Sequence, residues 1–509
     1  MLRFPSPISR KELMVFGMLA FIGAGAVQGW VFDRLPHVTD ETSHWFQAQL
    51  FLTGRLHGDV PPCPEAFFQH NVVMTRDGRW FSKYPPGQAL WMALGKRAGG
   101  VEWVMPLTSG LGIIFFMALA LRFFPPLVVR LAGLGWIISP QILLLAGSYM
   151  SHSTTLMACL AGGYALLRAW QASDRRWATA WALGSGFAWM AAVMTRPQDA
   201  FLAGLWAGLI LMVHGRPWGR LLRLLPGLLL GVIPLAVLFV VRNRLLYGHP
   251  LLLGYYLPDE LLLFPLITDT FGFTASHTPA VALQYLVWSL YRLNFALFGW
   301  PVSFVLLPFA CWVGRSGWRQ AGWLWLGVAL PIVLYVFHSY YGFEYEARYY
   351  LFSVPPLLLL SAQGLVHLWS GRVTGSRIPL RAVHVMVVIG LGGFMAYAVA
   401  RYWGGRIMQE YRPAYEQVSP VLQQAVEAAG LAEALVLVPS GDIHRDFRYS
   451  AGFIHNDPDL TAAVIYARDR ETSRACLKQA FPNRVFYRAV YSAENHWTIE
   501  PLRGTLLPE

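Results

Sequence analysis

Eleven mostly apolar runs recur along the chain, at 13–32, 103–121, 131–150, 153–167, 177–195, 199–213, 221–241, 295–314, 321–339, 351–370 and 382–400. Each is long enough, or nearly so, to cross about 30 Å of hydrocarbon as a helix. The runs at 153–167 and 199–213 are the shortest and must borrow flanking residues or sit obliquely. From about residue 403 the pattern changes. The segment 413–429 has the spacing of an amphipathic helix, and "ALVLVP", "AAVIYA" and "RVFYRAVY" read as strands, with "TSRACLKQAF" as a helix between two of them. The expected architecture is a polytopic α-helical membrane protein of about eleven crossings, spanning 1–402, followed by a small soluble α/β domain at 403–509.

Basic residues orient the crossings. Arg3, Arg10 and Lys11 precede the first run; alternate connections carry Arg122 and Arg130; Arg168, Arg175 and Arg176; Arg216, Arg220 and Arg223; Arg315 and Arg319; and Arg372, Arg377 and Arg381. With eleven crossings all six groups share one side, expected to be the cytoplasm. The amino terminus then faces the cytoplasm, and the segments 33–102, 242–294, 340–350 and 403–509 lie outside. Residues 13–32 are too long for a cleavable signal and are expected to stay as an anchor.

Composition agrees. Charged residues are 13% of the 509, mean hydropathy is +0.42, and there are 21 Trp and 31 Phe. Soluble domains carry about 25% charged residues. The net charge of +12 is accounted for by arginine in short connections, and with no basic run or RNA-binding signature a nucleic-acid partner is not expected. The four cysteines show no metal-ligand spacing. Cys159 and Cys311 fall in apolar runs as packing residues. Cys63 and Cys476 share the outer compartment, where a disulfide between them can form. "GLGG" at 390–393 lies inside an apolar run and reads as close helix packing, not as a nucleotide loop.

The first outer segment carries the chemistry. Asp40 and Glu41 open "ETSHWFQAQLFLTG", whose broad apolar face suggests a helix in the interface plane, capped by Thr39 or Asp40. An acid at a helix start is favourable without any catalytic role. Farther on, in "DGRWFSKYPPGQALWMALG", Asp77-Gly78 marks a turn, Pro85-Pro86 forces extended chain, and a second interfacial helix begins near Gln88. Lys83 just before that break can snorkel to water or bind a phosphate as a point charge, with Tyr84 as a neighbouring donor.

An acidic pair after the first crossing, an interfacial helix, and Lys-Tyr-Pro-Pro before a second one resemble the GT-C superfamily. The likeness is to the protein O-mannosyltransferase and aminoarabinose transferase group and to the RgtA/B/C/D-like bacterial glycosyltransferases. "TDETSHWFQAQLFLTGRL" and "FSKYPPGQALWMALG" carry it. The resemblance implies an inverting, polyprenyl-phosphate-sugar-dependent glycosyltransferase of the inner membrane, working at the outer face. The sugar would be hexosyl or pentosyl, and the acceptor a glycan, glycolipid or protein of the envelope. It implies Asp40 as catalytic base, with Glu41 as second choice or orienting partner, and Lys83 as ligand of the donor phosphate. Some members of the aminoarabinose branch hold a metal with an acid just before the lysine; Ser82 stands there in this chain, so no metal and no cofactor are expected.

Other outer residues fit the same level. Arg196, ahead of Pro197, and Arg348 are candidate phosphate contacts. His152 in "GSYMSHSTT", and Glu344, Glu346 and Tyr349 in "HSYYGFEYEARYYLF", are candidate substrate contacts. The ordinary role of each is structural: a core histidine, an aromatic belt, an acid–base pair. Trp300 is expected to anchor a helix. In the outer domain Asp442, His444, Asp446, His455, Asp457 and Asp459 gather near turns, where such residues have a turn role more often than a metal. Two rival classes stand beside the enzyme. One is a transporter or flippase of lipid-linked saccharide, which would show repeats around a midplane site; no repeat of the first outer motif is present. The other is a non-catalytic envelope assembly protein, which leaves the ordered acid and lysine motifs without a purpose.

Overall fold

The computed structural model describes residues 7–502, except 215–217, 267–269, 312–314, 341, 343, 372–378, 413, 440, 442–445 and 493–495, and without the side chains of 214, 218 and 315–320. Arg3, Arg216, Arg372, Arg377, Tyr341, Asp442 and His444 therefore lie outside the described residues.

In chain order the helices are α1 (Arg10–Trp30), α2 (Thr39–Leu52), α3 (Gly87–Arg97), α4 (Val104–Ala120), α5 (Pro126–Ile138), α6 (Pro140–Gly147), α7 (Ser151–Gln171), α8 (Arg175–Val193), α9 (Pro197–His214) and α10 (Trp218–Tyr247). They continue with α11 (Pro279–Phe298), α12 (Leu307–Ala310), α13 (Arg315–Val336), α14 (Val354–Trp369), α15 (Leu380–Tyr397), α16 (Met408–Glu410), α17 (Val421–Ala428), α18 (Ser450–Phe453) and α19 (Glu471–Ala480). The strands are β1 (Gly58–Asp59), β2 (Val72–Met74), β3 (Arg79–Ser82), β4 (Ala434–Pro439), β5 (Val464–Asp469), β6 (Val485–Ser492) and β7 (His496–Pro501). The chain forms two compact units. The first is Met1–Gln28, Trp103–Leu238 and Asp269–Ile407; the second is Gly29–Glu102, Phe239–Thr268 and Met408–Glu509.

The first unit is helical. Among the described residues five helices are long and apolar enough to cross a membrane, or seven if each bent pair is one span. The bends have local causes. Pro140 opens α6 and turns it 53° from α5, because proline cannot continue the ladder of the preceding helix. Gly299, at φ +73°, ends α11, and the chain re-enters helix at Ser303 after a 79° bend. This corrects the run placed at 295–314: it straddles the bend, and the helix begins at Pro279. Arg292 and the polar Gln284 and Asn294 had hidden that start. α8 and α10 cross at Gly186 and Gly231, where an added Cβ would lie 2.0 Å from a carbonyl of the facing helix. A Cβ added at Gly390, Gly392 or Gly393 would meet nothing within 4 Å, so among the described residues the close packing expected there is not seen. Leu229, Leu230, Ile233 and Val237 on α10 and Val385, Met386 and Ile389 on α15 are exposed, an outward apolar stripe that hydrocarbon would solvate and water would not.

The second unit joins the first outer segment to the carboxyl-terminal one. β5-β4-β6-β7 form one sheet, parallel between β5, β4 and β6 and antiparallel at β7. β1-β3-β2 form a small antiparallel sheet turned at Asp77-Gly78. One hydrophobic core unites them: Phe46, Leu50, Phe67 and Trp80 are buried with Leu422, Leu435, Phe453, Tyr466 and Trp497. The face of α2 expected to lie against lipid is thus packed on protein. The Phe46 ring packs tilted against Trp80 at 4.4 Å and Phe453 at 5.6 Å, and Trp45 Nε1 donates to the Ile454 carbonyl. Arg55 forms a bidentate pair with Asp459, and Cys63 is disulfide-bonded to Cys476.

Two expectations for 403–509 change. The helix at 413–429 is confined to Val421–Ala428, because Glu416 and Gln417 take positive φ and Pro420 stands at the helix entrance. β7 is an additional strand whose only buried residue is Trp497, too weak an alternation to read from sequence. Asp457 accepts backbone N–H bonds from Asp459, Thr461 and Ala462, and Asp446 accepts from Gly441 and Arg448, which is turn chemistry.

Candidate active site

α2 starts at an extended Val38 with no side-chain cap, contrary to the expectation for Thr39 or Asp40. Both side chains turn instead toward Asn71. The Asn71 amide donates to Thr39 Oγ1 and to Asp40 Oδ1, each at 2.9 Å, and Tyr84 OH donates to the same Asp40 oxygen at 2.6 Å. These hydrogen bonds fix the position of this half-buried carboxyl group.

The exit of the β2–β3 hairpin is laced to α2. Ser43 Oγ donates to the Asn71 carbonyl at 2.6 Å and lies 2.7 Å from Ser82 Oγ. Gln47 Oε1 accepts from Ser82 N at 3.0 Å, and the Asn71 carbonyl also accepts from Lys83 N at 3.1 Å. Asn71 sits at φ +65°, a conformation that asparagine tolerates better than most residues.

Lys83 is buried, at 5% exposure, so it is not a snorkelling lysine. Its ammonium lies 5.4 Å from the Tyr84 ring centre and 5.9 Å from that of Tyr255. The rings of Tyr84 and Tyr255 meet edge to face, and His44 packs 4.8 Å from Tyr84. Gly254 approaches the Lys83 backbone so closely that an added Cβ would lie 2.2 Å from its carbonyl oxygen. Arg242, buried at the end of α10, donates to the Tyr84 carbonyl at 3.3 Å and to Tyr247 OH at 3.1 Å. Glu41 is fully buried and accepts from His37 N at 2.7 Å, a backbone-holding contact distinct from those of Asp40.

The remaining candidates belong to the first unit. Pro197 opens α9, and Arg196 ahead of it pairs with Asp199 within the first turn. Tyr335 OH donates to the other Asp199 oxygen at 2.6 Å and accepts from Arg196 at 3.3 Å. Tyr335 stacks on Tyr349 at 4.7 Å. The guanidinium groups of Arg196 and Arg348 lie 5.8 and 5.2 Å from that same Tyr349 ring, and His152 lies 6.0 Å from it. Glu344 accepts from Tyr340 OH and pairs with Arg348 at 3.2 Å. Burial, and then the Glu344 charge, raise the Tyr340 hydroxyl above its ordinary range, so it serves as a donor. Glu346 is fully buried and pairs with Arg406 at 2.9 Å and Arg292 at 4.0 Å. Its backbone and that of Tyr345 take positive φ, held by Gln141, which donates to the Tyr345 carbonyl and accepts from Ala347 N. Trp300 is buried and stacks on Phe394, in keeping with an anchoring role.

The structure thus brings Asp40, Tyr84 and Lys83 together in the second unit, and His152, Arg196, Arg348, Glu344 and Tyr349 together in the first. Asn71, Tyr255, Arg242, Asp199 as a partner of Arg196, Tyr335 and Arg406 escaped sequence reasoning, since none stands in a motif and each meets its partner only through the fold. Among the described residues no three His, Cys, Asp or Glu side chains are placed to hold a metal ion.

No family model and no curated protein sequence matches the chain. Solved structures do. ArnT from Cupriavidus metallidurans in the apo state superposes with a TM-score of 0.57 at 15% identity, covering 97% of this chain and 98% of that one. The same protein bound to undecaprenyl phosphate gives 0.55 at 16% identity, with 98% and 100% covered. Over nearly its whole length, then, this chain has the polytopic helical fold of ArnT.

Proposed function

We propose that the chain is an inverting glycosyltransferase that moves a sugar from a polyprenyl-phosphate donor to an envelope acceptor at the outer face of the membrane. The observation that carries this reading is the pinning of Asp40 by Tyr84 and Asn71, with the buried ammonium of Lys83 5.4 Å from the ring centre of that same Tyr84. The ArnT fold supports it, and one ArnT structure is bound to undecaprenyl phosphate.

In this reading the acceptor hydroxyl attacks the anomeric carbon of the donor. A new carbon–oxygen bond forms as the bond from that carbon to the phosphate oxygen breaks. The electron pair leaves with the polyprenyl phosphate, and the hydroxyl proton passes to Asp40. One displacement inverts the anomeric centre, so a single base suffices. Lys83 offsets the charge that develops on the departing phosphate, and its low-dielectric surroundings strengthen that interaction. Arg196 and Arg348, already neutralised by Asp199 and Glu344, serve as further phosphate contacts, while His152, Glu344 and Tyr349 contact substrate. Glu41 is the second choice for the base or its orienting partner, and Glu346, paired with Arg406 and Arg292, is a further candidate substrate contact.

The orientation belongs to the same proposal: an inner-membrane protein of eleven crossings, amino terminus in the cytoplasm, residues 403–509 outside. The Cys63–Cys476 disulfide supports it, since such bonds persist in oxidising compartments. The test is transfer in vitro from a synthetic polyprenyl-phosphate sugar by the purified full chain and by Asp40→Asn. Loss of at least about 100-fold with unchanged melting is expected. Undiminished transfer by the variant would refute the assignment, and movement of donor across vesicles without transfer would identify a flippase.

A further inference from the structure

A positively charged cleft lies in the first unit, apart from the residues assigned above. It is an open cleft of about 560 Å³ where the end of α4 meets the turn from α7 into α8. Arg122 and Arg168 line it, with Asp174, Trp177 and Trp181. The guanidinium of Arg168 lies 5.1 Å from the Trp181 ring centre, and its one hydrogen bond among the described residues is to Tyr164 OH. Arg122 has no side-chain hydrogen bond or ion pair among the described residues. Arg220 donates to the carbonyl of Ala172 on the cleft wall. The single acid, Asp174, is engaged in capping α8 through Arg176 N. The lining therefore presents two cations without a carboxylate partner.

We infer that this cleft binds the phosphate of an acidic phospholipid, with Arg122 and Arg168 as ligands and Trp177 and Trp181 beside the glycerol. Three observations select that class. The excess of positive charge calls for an anion, and arginine's planar fork suits phosphate oxygens. The cleft opens two residues beyond the end of a candidate membrane span, Val101–Ala120, the level at which headgroups lie. Trp177 is 65% exposed, and indole at that level partitions into the headgroup region. Basic pockets between helices at this depth recognise anionic headgroups. A soluble phosphate shares the charge but gains nothing from the exposed indole of Trp177.

The test uses the purified full chain, reconstituted in nanodiscs of phosphatidylcholine with or without phosphatidylglycerol, and native mass spectrometry of lipids retained after detergent exchange. Wild type should retain phosphatidylglycerol at least about tenfold over phosphatidylcholine, and Arg122→Gln with Arg168→Gln should reduce that preference to about unity. Trp177→Ala, a substitution at an exposed site, should weaken retention severalfold if the doubly substituted protein fails to fold. Inorganic phosphate or glycerol phosphate at millimolar concentration should not displace the lipid. Equal retention of both lipids by wild type, an undiminished preference in the variants, or full displacement by the soluble phosphates would each overturn the inference.

Discussion

Asn71 grips Asp40 with its side chain, donating to Oδ1 at 2.9 Å, while its own carbonyl accepts from the N–H of Lys83 at 3.1 Å. One residue thereby sets the carboxylate relative to the strand exit that carries the ammonium. Asn71→Gly keeps the positive φ and the carbonyl but removes the amide. A fall in kcat of about tenfold, near the worth of a hydrogen bond to a charged group, with little change in donor KM, is the expected outcome in steady-state kinetics. Tyr84→Phe removes the other donor to Oδ1 and should act in the same direction.

Lys83→Ala should impair donor use far more than acceptor use, seen by titrating the two substrates separately. Gly254→Ala should mimic part of it without touching the ammonium, because the new methyl would drive into the Lys83 carbonyl. A rise in donor KM of at least about tenfold is expected. An effect confined to acceptor affinity would contradict the role given to Lys83.

Removing the Cys63–Cys476 bond by Cys63→Ser with Cys476→Ser should lower the stability of the second unit by about 2–4 kcal/mol. Thermal melting of the full chain, and a mobility difference between reduced and oxidised wild type that the variant lacks, check this. Persistence of the thiols in the free form in cells would place both cysteines in a reducing compartment and contradict the proposed orientation.

Acid should loosen the same unit. Burial holds the His455 imidazole down at about 4 against an ordinary 6.5, so the folded form disfavours its proton. The stabilisation is complete above pH 6.5 and is lost as pH falls toward 4, by up to about 3 kcal/mol. Burial works against the Asp446 carboxylate, but Arg448 and the surrounding N–H groups outweigh it and hold that group below the usual range; its contribution also vanishes on acidification. Amide protection factors in β4 and β5, corrected for the intrinsic pH dependence of exchange, should fall between pH 7 and pH 5, and His455→Phe should flatten that dependence.

Much of the membrane half was legible because apolar length is a direct physical requirement of hydrocarbon. Ten of the eleven runs fall on helices at nearly the expected places, with 131–150 resolved into a bent pair. The start of α11 was lost because Arg292, which pairs with buried Glu346, breaks the apolar run. Asp40, Lys83 and Tyr84 could be singled out as candidates because they stand in order in two short segments. Asn71 could not: its role depends on a positive φ and on the hairpin returning it to α2. The apolar face of α2 was visible, but whether lipid or protein would cover it was decided by residues some four hundred positions later, and Phe453 and Ile454 supply the cover.

That long-range pairing constrains how the protein is made. The segments 29–102 and 408–509, which share one core, are separated by some three hundred residues. At ribosomal speeds of about 5–20 residues per second, the earlier segment waits roughly 15–60 s before its counterpart is synthesised. During that interval Phe46, Leu50 and Trp80 have only one another and near neighbours such as Phe67 for cover, so the nascent chain needs a holding factor or the lipid surface itself to keep them from misassociating.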